Sequence, residues 1–213
     1  KMTYTSTAQL EEVTLPDGTT VRQEYDALDR LIKQTHSSGL VTEYSYDAAN
    51  RVVNKKDNQD LSETYTYDKA GNRLTLTNSL GEVTQYSYNS DNQLTKVVYA
   101  DKTSETFTYD VMGNVASSTD QEGKTKTYHY DQNGNLVKTV DHLKRETKYS
   151  YDALNRVVIE SDADGNTSSY EYDVLGNLSK MTDANGHSSS YGYDANKKLV
   201  LYTDPNGQAT AFK

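Results

Sequence analysis

The stretch Tyr149-Ser150-Tyr151-Asp152-Ala153-Leu154-Asn155-Arg156-Val157 decides the fold, because nearly the same words recur along the whole chain. They stand again at Tyr128-His129-Tyr130-Asp131-Gln132-Asn133-Gly134-Asn135-Leu136 and at Tyr170-Glu171-Tyr172-Asp173-Val174-Leu175-Gly176-Asn177-Leu178. The second tyrosine of the unit falls at Tyr4, Tyr25, Tyr46, Tyr67, Tyr88, Tyr109, Tyr130, Tyr151, Tyr172 and Tyr193. The spacing is 21 residues throughout, with no insertion or deletion. Periods of this length mark repeat architectures.

Other columns keep the same register. Two residues before the origin, the column holds seven further tyrosines and both phenylalanines, so only Tyr99 and Tyr202 of the 19 tyrosines lie outside the pair. Asp follows the second tyrosine in eight of ten repeats, with Thr5 and Asn89 as the exceptions. Three residues further on, eight of ten positions are Gly, Asn or Asp, the types that tolerate positive φ. The next apolar column is Leu or Val in nine of ten repeats. At Gly71-Asn72-Arg73-Leu74 an arginine takes its place, and Leu74 is expected to supply the apolar group one residue late across a β-bulge. A second turn column runs Gly18, Gly39, Asp60, Gly81, Lys102, Gly123, Lys144, Gly165, Gly186, Gly207.

Each repeat therefore carries two turn signals about ten residues apart, separated by segments too short for helices. Bounded by Asp-Gly and Asn-Gly pairs, such segments read as strands joined in hairpins. Tyr-x-Tyr alternation puts both rings on one face and the polar residue between them on the other. The aspartate accepts bonds from backbone N–H groups two residues on and closes the turn. Cross-strand partners of the rings are expected at the Leu/Val column, each pair contributing about 0.2–1 kcal/mol. The sequence thus predicts an all-β chain of about ten 21-residue β-hairpin repeats, a long twisted antiparallel strip and a single array over residues 1–213. The hallmarks are Tyr44, Tyr46 and Asp47; Tyr65, Tyr67, Asp68 and Gly71; Tyr128, Tyr130, Asp131 and Gly134; Tyr149, Tyr151 and Asp152; and Tyr170, Tyr172, Asp173, Gly176 and Leu178.

Composition agrees with a fold built on tyrosine. Leu, Ile, Val and Phe make up 37 of 213 residues and the net charge is −9, values that by themselves point to disorder. The tyrosines supply the missing apolar area while their hydroxyls stay wet or bonded. The acidic balance argues against nucleic acid and against anionic membrane surfaces. No apolar run is long enough for a membrane-spanning helix. With no cysteine there is no disulfide framework and no thiolate metal site. The pattern is already running at the first residue, so the chain reads as a segment of a longer protein.

These residues resemble the YD (tyrosine–aspartate) repeat, also called the RHS repeat, whose consensus is roughly Tyr-x-Tyr-Asp-x-x-Gly-Arg/Asn-Leu. The resemblance covers essentially the whole chain and is closest at Tyr65–Leu74 and Tyr170–Leu178. It implies an all-β strip that coils into a hollow shell, here an open arc or spiral segment. In bacterial RHS toxins and insecticidal toxin complexes such a shell encloses a C-terminal toxic domain. Related repeats occur in teneurin adhesion ectodomains and in bacterial wall-associated proteins. Self-processing members carry an Asp-Pro-x-Gly-Leu signature after the repeats. Here Asp204-Pro205-Asn206-Gly207 is followed by Gln208 and stands in the ordinary turn column, so it reads as a repeat turn.

Candidate chemistry is sparse. Asp162-Ala163-Asp164-Gly165-Asn166 and Asp183-Ala184-Asn185-Gly186 resemble the start of a calcium loop, but no later carboxylate completes the ligand set, and turn chemistry explains them. His36, His129, His142 and His187 occupy different columns and form no recurring arrangement with a nucleophile. No catalytic residue, cofactor or metal is expected. The tyrosine columns offer either internal packing or a platform for sugar rings. The expected function is a non-catalytic structural segment of a secreted or cell-surface protein, scaffolding or encapsulating a C-terminal cargo. The rival is an adhesive, carbohydrate-binding or protein-binding surface module. Expected partners are neighbouring repeats, the cargo domain and a surface glycan or protein, with edge-to-edge self-association where strand edges are bare, and neither nucleic acid nor membrane insertion.

Overall fold

A computed structural model describes residues 1–212 and contains 21 strands and no helix among them. The chain divides into two compact units, Lys1–Glu105 and Thr106–Lys213. The N-terminal unit holds β1 (Met2–Tyr4), β2 (Leu10–Thr14), β3 (Thr20–Tyr25), β4 (Leu31–His36), β5 (Val41–Tyr46), β6 (Val52–Asp57), β7 (Ser62–Tyr67), β8 (Arg73–Thr77), β9 (Val83–Tyr88) and β10 (Leu94–Val98). Strand β11 (Ser104–Tyr109) crosses the division. The C-terminal unit continues with β12 (Val115–Thr119), β13 (Thr125–Tyr130), β14 (Leu136–Val140), β15 (Glu146–Tyr151), β16 (Val157–Ser161), β17 (Thr167–Tyr172), β18 (Leu178–Thr182), β19 (Ser188–Tyr193), β20 (Leu199–Thr203) and β21 (Ala209–Ala211).

Within each unit every strand is antiparallel to the strands before and after it and packs against no others. Each unit is thus a one-layer sheet. Among the described residues only Val97 and Thr139 are buried, at 6% and 4% exposure, and no second layer covers the rings. Tyr-x-Tyr alternation appears as expected: Tyr44, Tyr46, Tyr149 and Tyr151 are half-buried, while Ser45 and Ser150 between them are exposed.

Both turns of the repeat have one design, and its left-handed residue falls in the columns of Gly, Asn and Asp that the sequence marks out. A two-residue type I′ turn needs positive φ at both central residues. Here each of the 20 connections has one positive-φ residue, such as Asn50 (φ 61°), Gly71 (φ 95°) or Gly165 (φ 84°). Asp47 shows the pattern: its N–H donates to the Arg51 carbonyl at 2.9 Å, and the Asn50 N–H donates to the Asp47 carbonyl at 3.0 Å. This is a type I turn followed by a left-handed residue, a three-residue loop. In Asp164-Gly165 the Asp is the last residue of the type I part and the Gly is the left-handed residue.

The bulge is likewise a property of every repeat. Tyr46 pairs with Val52 while Ser45 pairs with Asn54, leaving Val53 unpaired. Tyr67 pairs with Arg73 while Thr66 pairs with Thr75, leaving Leu74 unpaired. Arg73 therefore keeps the column, and Leu74, 38% exposed, is the bulged residue. This corrects the expected late substitution by Leu74: the bulge is already present where no residue is out of place, so the chain has no slack to shift Leu74 inward. The Leu/Val column does oppose the second tyrosine, as in Tyr88 with Leu94 and Tyr151 with Val157.

Candidate functional site

The repeat motif is a bracket that holds one hairpin to the next. Backbone ladders between successive hairpins are short: β4 and β5 pair only through Lys33–Glu43, Gln34–Thr42 and Thr35–Val41. The Leu31 carbonyl lies beyond the end of that ladder. It accepts instead the Tyr46 hydroxyl at 2.7 Å. The same bond joins Tyr25 to Leu10, Tyr67 to Val52, Tyr88 to Arg73, Tyr130 to Val115, Tyr151 to Leu136 and Tyr172 to Val157, at 2.7–3.1 Å. A carbonyl that would lack a partner in a half-buried position is thereby satisfied. The tyrosine supplies packing area and an inter-repeat hydrogen bond at once.

The aspartate closes the turn and aims a second bracket. Asp47 Oδ1 accepts the N–H groups of Ala49 (2.9 Å) and Arg51 (3.0 Å), and Oδ2 accepts Arg51 Nε (2.8 Å) and Nη2 (2.7 Å). So held, the Arg51 guanidinium lies 4.7 Å from the Tyr67 ring centroid and donates to the Asp68 carbonyl at 2.8 Å, both in the following repeat. Arg30 likewise stacks over Tyr46, at 4.8 Å, and Arg156 over Tyr172, at 4.4 Å. Where Asn replaces Arg, the reach is shorter: Asn72 donates to Asn92 Oδ1, and Asn135 to Asn155 Oδ1, each at 2.8 Å. These contacts span 16 to 20 residues of sequence. Sequence reasoning noted Arg/Asn in the consensus but gave it no role. The signal available was that this residue stands four after the aspartate in every complete bracket.

Electrostatics follow from these bonds. The Arg30 side chain and backbone hold the Asp26 carboxyl below the usual range, and Arg156 does the same for Asp152. Asn72, Asn135 and Asn177 lower Asp68, Asp131 and Asp173 through their side-chain amides. Burial raises the hydroxyls of Tyr46, Tyr130, Tyr149, Tyr151 and Tyr170. Tyr65 is pushed up to about 12, by burial and then by its 2.6 Å bond to Glu63.

The remaining motifs fall into the same frame. Gly71, Gly134 and Gly176 are the left-handed residues of their turns, and Leu178 opposes Tyr172. The Asp162 carboxylate is occupied by the N–H groups of Asp164 and Asn166 and by the Asn166 amide, at 2.8–2.9 Å. Among the described residues no group of three or more acidic, His or Cys side chains is arranged to hold a metal ion. Asp204 binds the N–H groups of Asn206 (2.9 Å) and Gln208 (2.8 Å), an ordinary repeat turn. His36 and His187 are turn fittings, bonded to Ser38 at 2.7 Å and Asp183 at 3.2 Å. His129 stands opposite Lys138 on the strand pair, and His142 lies in the turn between β14 and β15. Of the positions outside the pattern, Tyr202 packs on Tyr191 with ring centroids 5.5 Å apart, and Lys197 reaches the Leu175 carbonyl at 3.1 Å. Tyr99 begins the turn between β10 and β11.

One-layer sheets of identical hairpins, bracketed side by side, define a structural repeat scaffold. The family model described as Teneurin YD-shell matches residues 1–119, 25–169 and 82–212, so the chain belongs to that family. Among solved structures, the fold is similar to a chain of a Photorhabdus luminescens Tc holotoxin pore (TM-score 0.66, 17% identity, 95% of this chain and 13% of that one). It is also similar to chains in crystal structures of TcdB2-TccC3-Cdc42 (TM-score 0.62, 14% identity, 95% and 15%) and TcdB2-TccC3 (TM-score 0.62, 13% identity, 95% and 16%). The chain spans only about one seventh of the length of these structures. A search of curated proteins finds no match.

Proposed function

We propose that the chain is a wall segment: one continuous YD array over residues 1–213 that, in a longer secreted or surface protein, encloses a C-terminal cargo and has no catalysis of its own. The observation that carries this reading is the bracket. Bonds like that of Tyr46 to Leu31 tie seven hairpins to the one before, and stacks like that of Arg51 on Tyr67 reinforce three of these joints, in sheets one layer thick, so a wall grows by adding repeats without needing a core. Membership of the YD-shell family supports the scaffold role, and the likeness to the Tc structures supports the fold. The glycan-platform alternative has less support, because Arg30, Arg51 and Arg156 cover ring faces that a sugar would need.

The test is limited proteolysis of the full-length protein. The segment following the array should resist protease until the array is unfolded. Cleavage at the rate of the same segment in isolation rejects enclosure.

A further inference from the structure

Five of the six arginines sit beside a carboxylate: Arg22, Arg30, Arg51, Arg145 and Arg156, at 2.6–3.9 Å. Arg73 does not. It stands in the column that is Leu or Val in the other nine repeats, so its side chain projects from the tyrosine face. Its guanidinium lies 4.4 Å from the Tyr86 centroid and 6.0 Å from that of Tyr65, rings on the strands to either side. Among the described residues nothing accepts a hydrogen bond from the guanidinium and no carboxylate lies within ion-pair distance of it, although its charge is among the causes that hold the Glu63 carboxyl below the usual range. The residue is only half-buried, so its donors face an approachable surface. The nearby acid Glu63 is already bound, by the Tyr65 hydroxyl at 2.6 Å and Lys55 Nζ at 3.5 Å. Lys55, Glu63 and Arg73 together leave one surplus positive charge in a chain of net charge −9.

We propose that Arg73 is a recognition site for a side-chain carboxylate of an acidic polypeptide segment. A guanidinium carries five N–H donors in a rigid fork that matches a carboxylate in bidentate fashion. Stacking against the rings fixes the plane of the fork before any ligand arrives. The same stacking occupies the Tyr65 and Tyr86 faces, so an acidic sugar has no ring to lie on. A peptide finds a second contact: Glu63, the acid nearest Arg73, borders an open depression of about 240 Å³ that Arg73 itself does not line and whose rim includes Leu61 and Leu80, 62% and 80% exposed. The inference stands whether or not the array encloses a cargo.

The test titrates the whole chain with a capped Leu-Glu-Ala-Glu-Leu peptide, its Gln counterpart and oligogalacturonate, by calorimetry at low salt. The Glu peptide should bind saturably and the Gln peptide should not. Arg73→Leu restores the residue type of the other repeats, so the variant should melt no lower than the parent yet bind the Glu peptide about tenfold or more weakly. Arg73→Lys keeps the charge without the fork and should also bind more weakly. Absence of saturable binding, equal binding by Arg73→Leu or of the Gln peptide, or oligogalacturonate binding with the same dependence on Arg73 each overturns the proposal.

Discussion

The Tyr46 hydroxyl donates to the Leu31 carbonyl at 2.7 Å, joining the end of the first strand of one hairpin to the start of the second strand of the hairpin before it. The bond lies where the backbone ladder between β4 and β5 has run out. It makes a side chain do what a ladder hydrogen bond does elsewhere.

Tyr46→Phe keeps the ring and strands the carbonyl. The expected cost is about 1 kcal/mol. Amide exchange should quicken at β4 and β5 first, because stability in a repeat array is local to the interface. Tyr4→Phe is the control, since its hydroxyl reaches only Met2 Sδ at 3.4 Å. Equal effects of the two changes argue against the bracket.

Arg51 and Tyr67 should be energetically coupled. A double-mutant cycle with Arg51→Ala and Tyr67→Leu is expected to give about 0.5–1 kcal/mol of interaction, the range for a partly exposed cation–π contact. The cycle is read from denaturant midpoints. Additive single effects would mean that the 4.7 Å stack is geometric only.

The left-handed turn position should reward glycine. Lys144 sits at φ 64° and Gly134 at φ 83° in successive turns. Lys144→Gly should raise stability and Gly134→Val should lower it, each by about 1 kcal/mol. Melting temperatures check both signs.

The array should open at both extremes of pH. Asp26, Asp68, Asp131 and Asp152 titrate below the ordinary carboxylate range, so the stability they contribute is present above that range and lost as pH falls through their lower folded values. Tyr46, Tyr65, Tyr130 and Tyr151 titrate above 10.0, so theirs is present below pH 10 and lost as pH rises through the folded values, for Tyr65 near 12. Tyrosinate absorbance and the far-ultraviolet β signal should change together in alkali. Ionisation of these half-buried hydroxyls with the β signal intact would contradict the linkage.

The sequence alone determined the 21-residue period, the all-β class, the face shared by the tyrosine pairs and the place of every turn. These are legible because they depend on residues one to four apart, where alternation and left-handed preference act. Only the tertiary structure decided that both turns share the three-residue form, that Arg73 holds its column while Leu74 bulges, and that Arg or Asn four residues past the aspartate reaches the next repeat. Those outcomes depend on strand register, which brings together groups 15 to 20 residues apart. Spacing along the chain fixes which residues repeat, but side-chain reach across strands follows from the pairing of backbones, and Asp-Gly or Arg-Leu in isolation is compatible with more than one pairing.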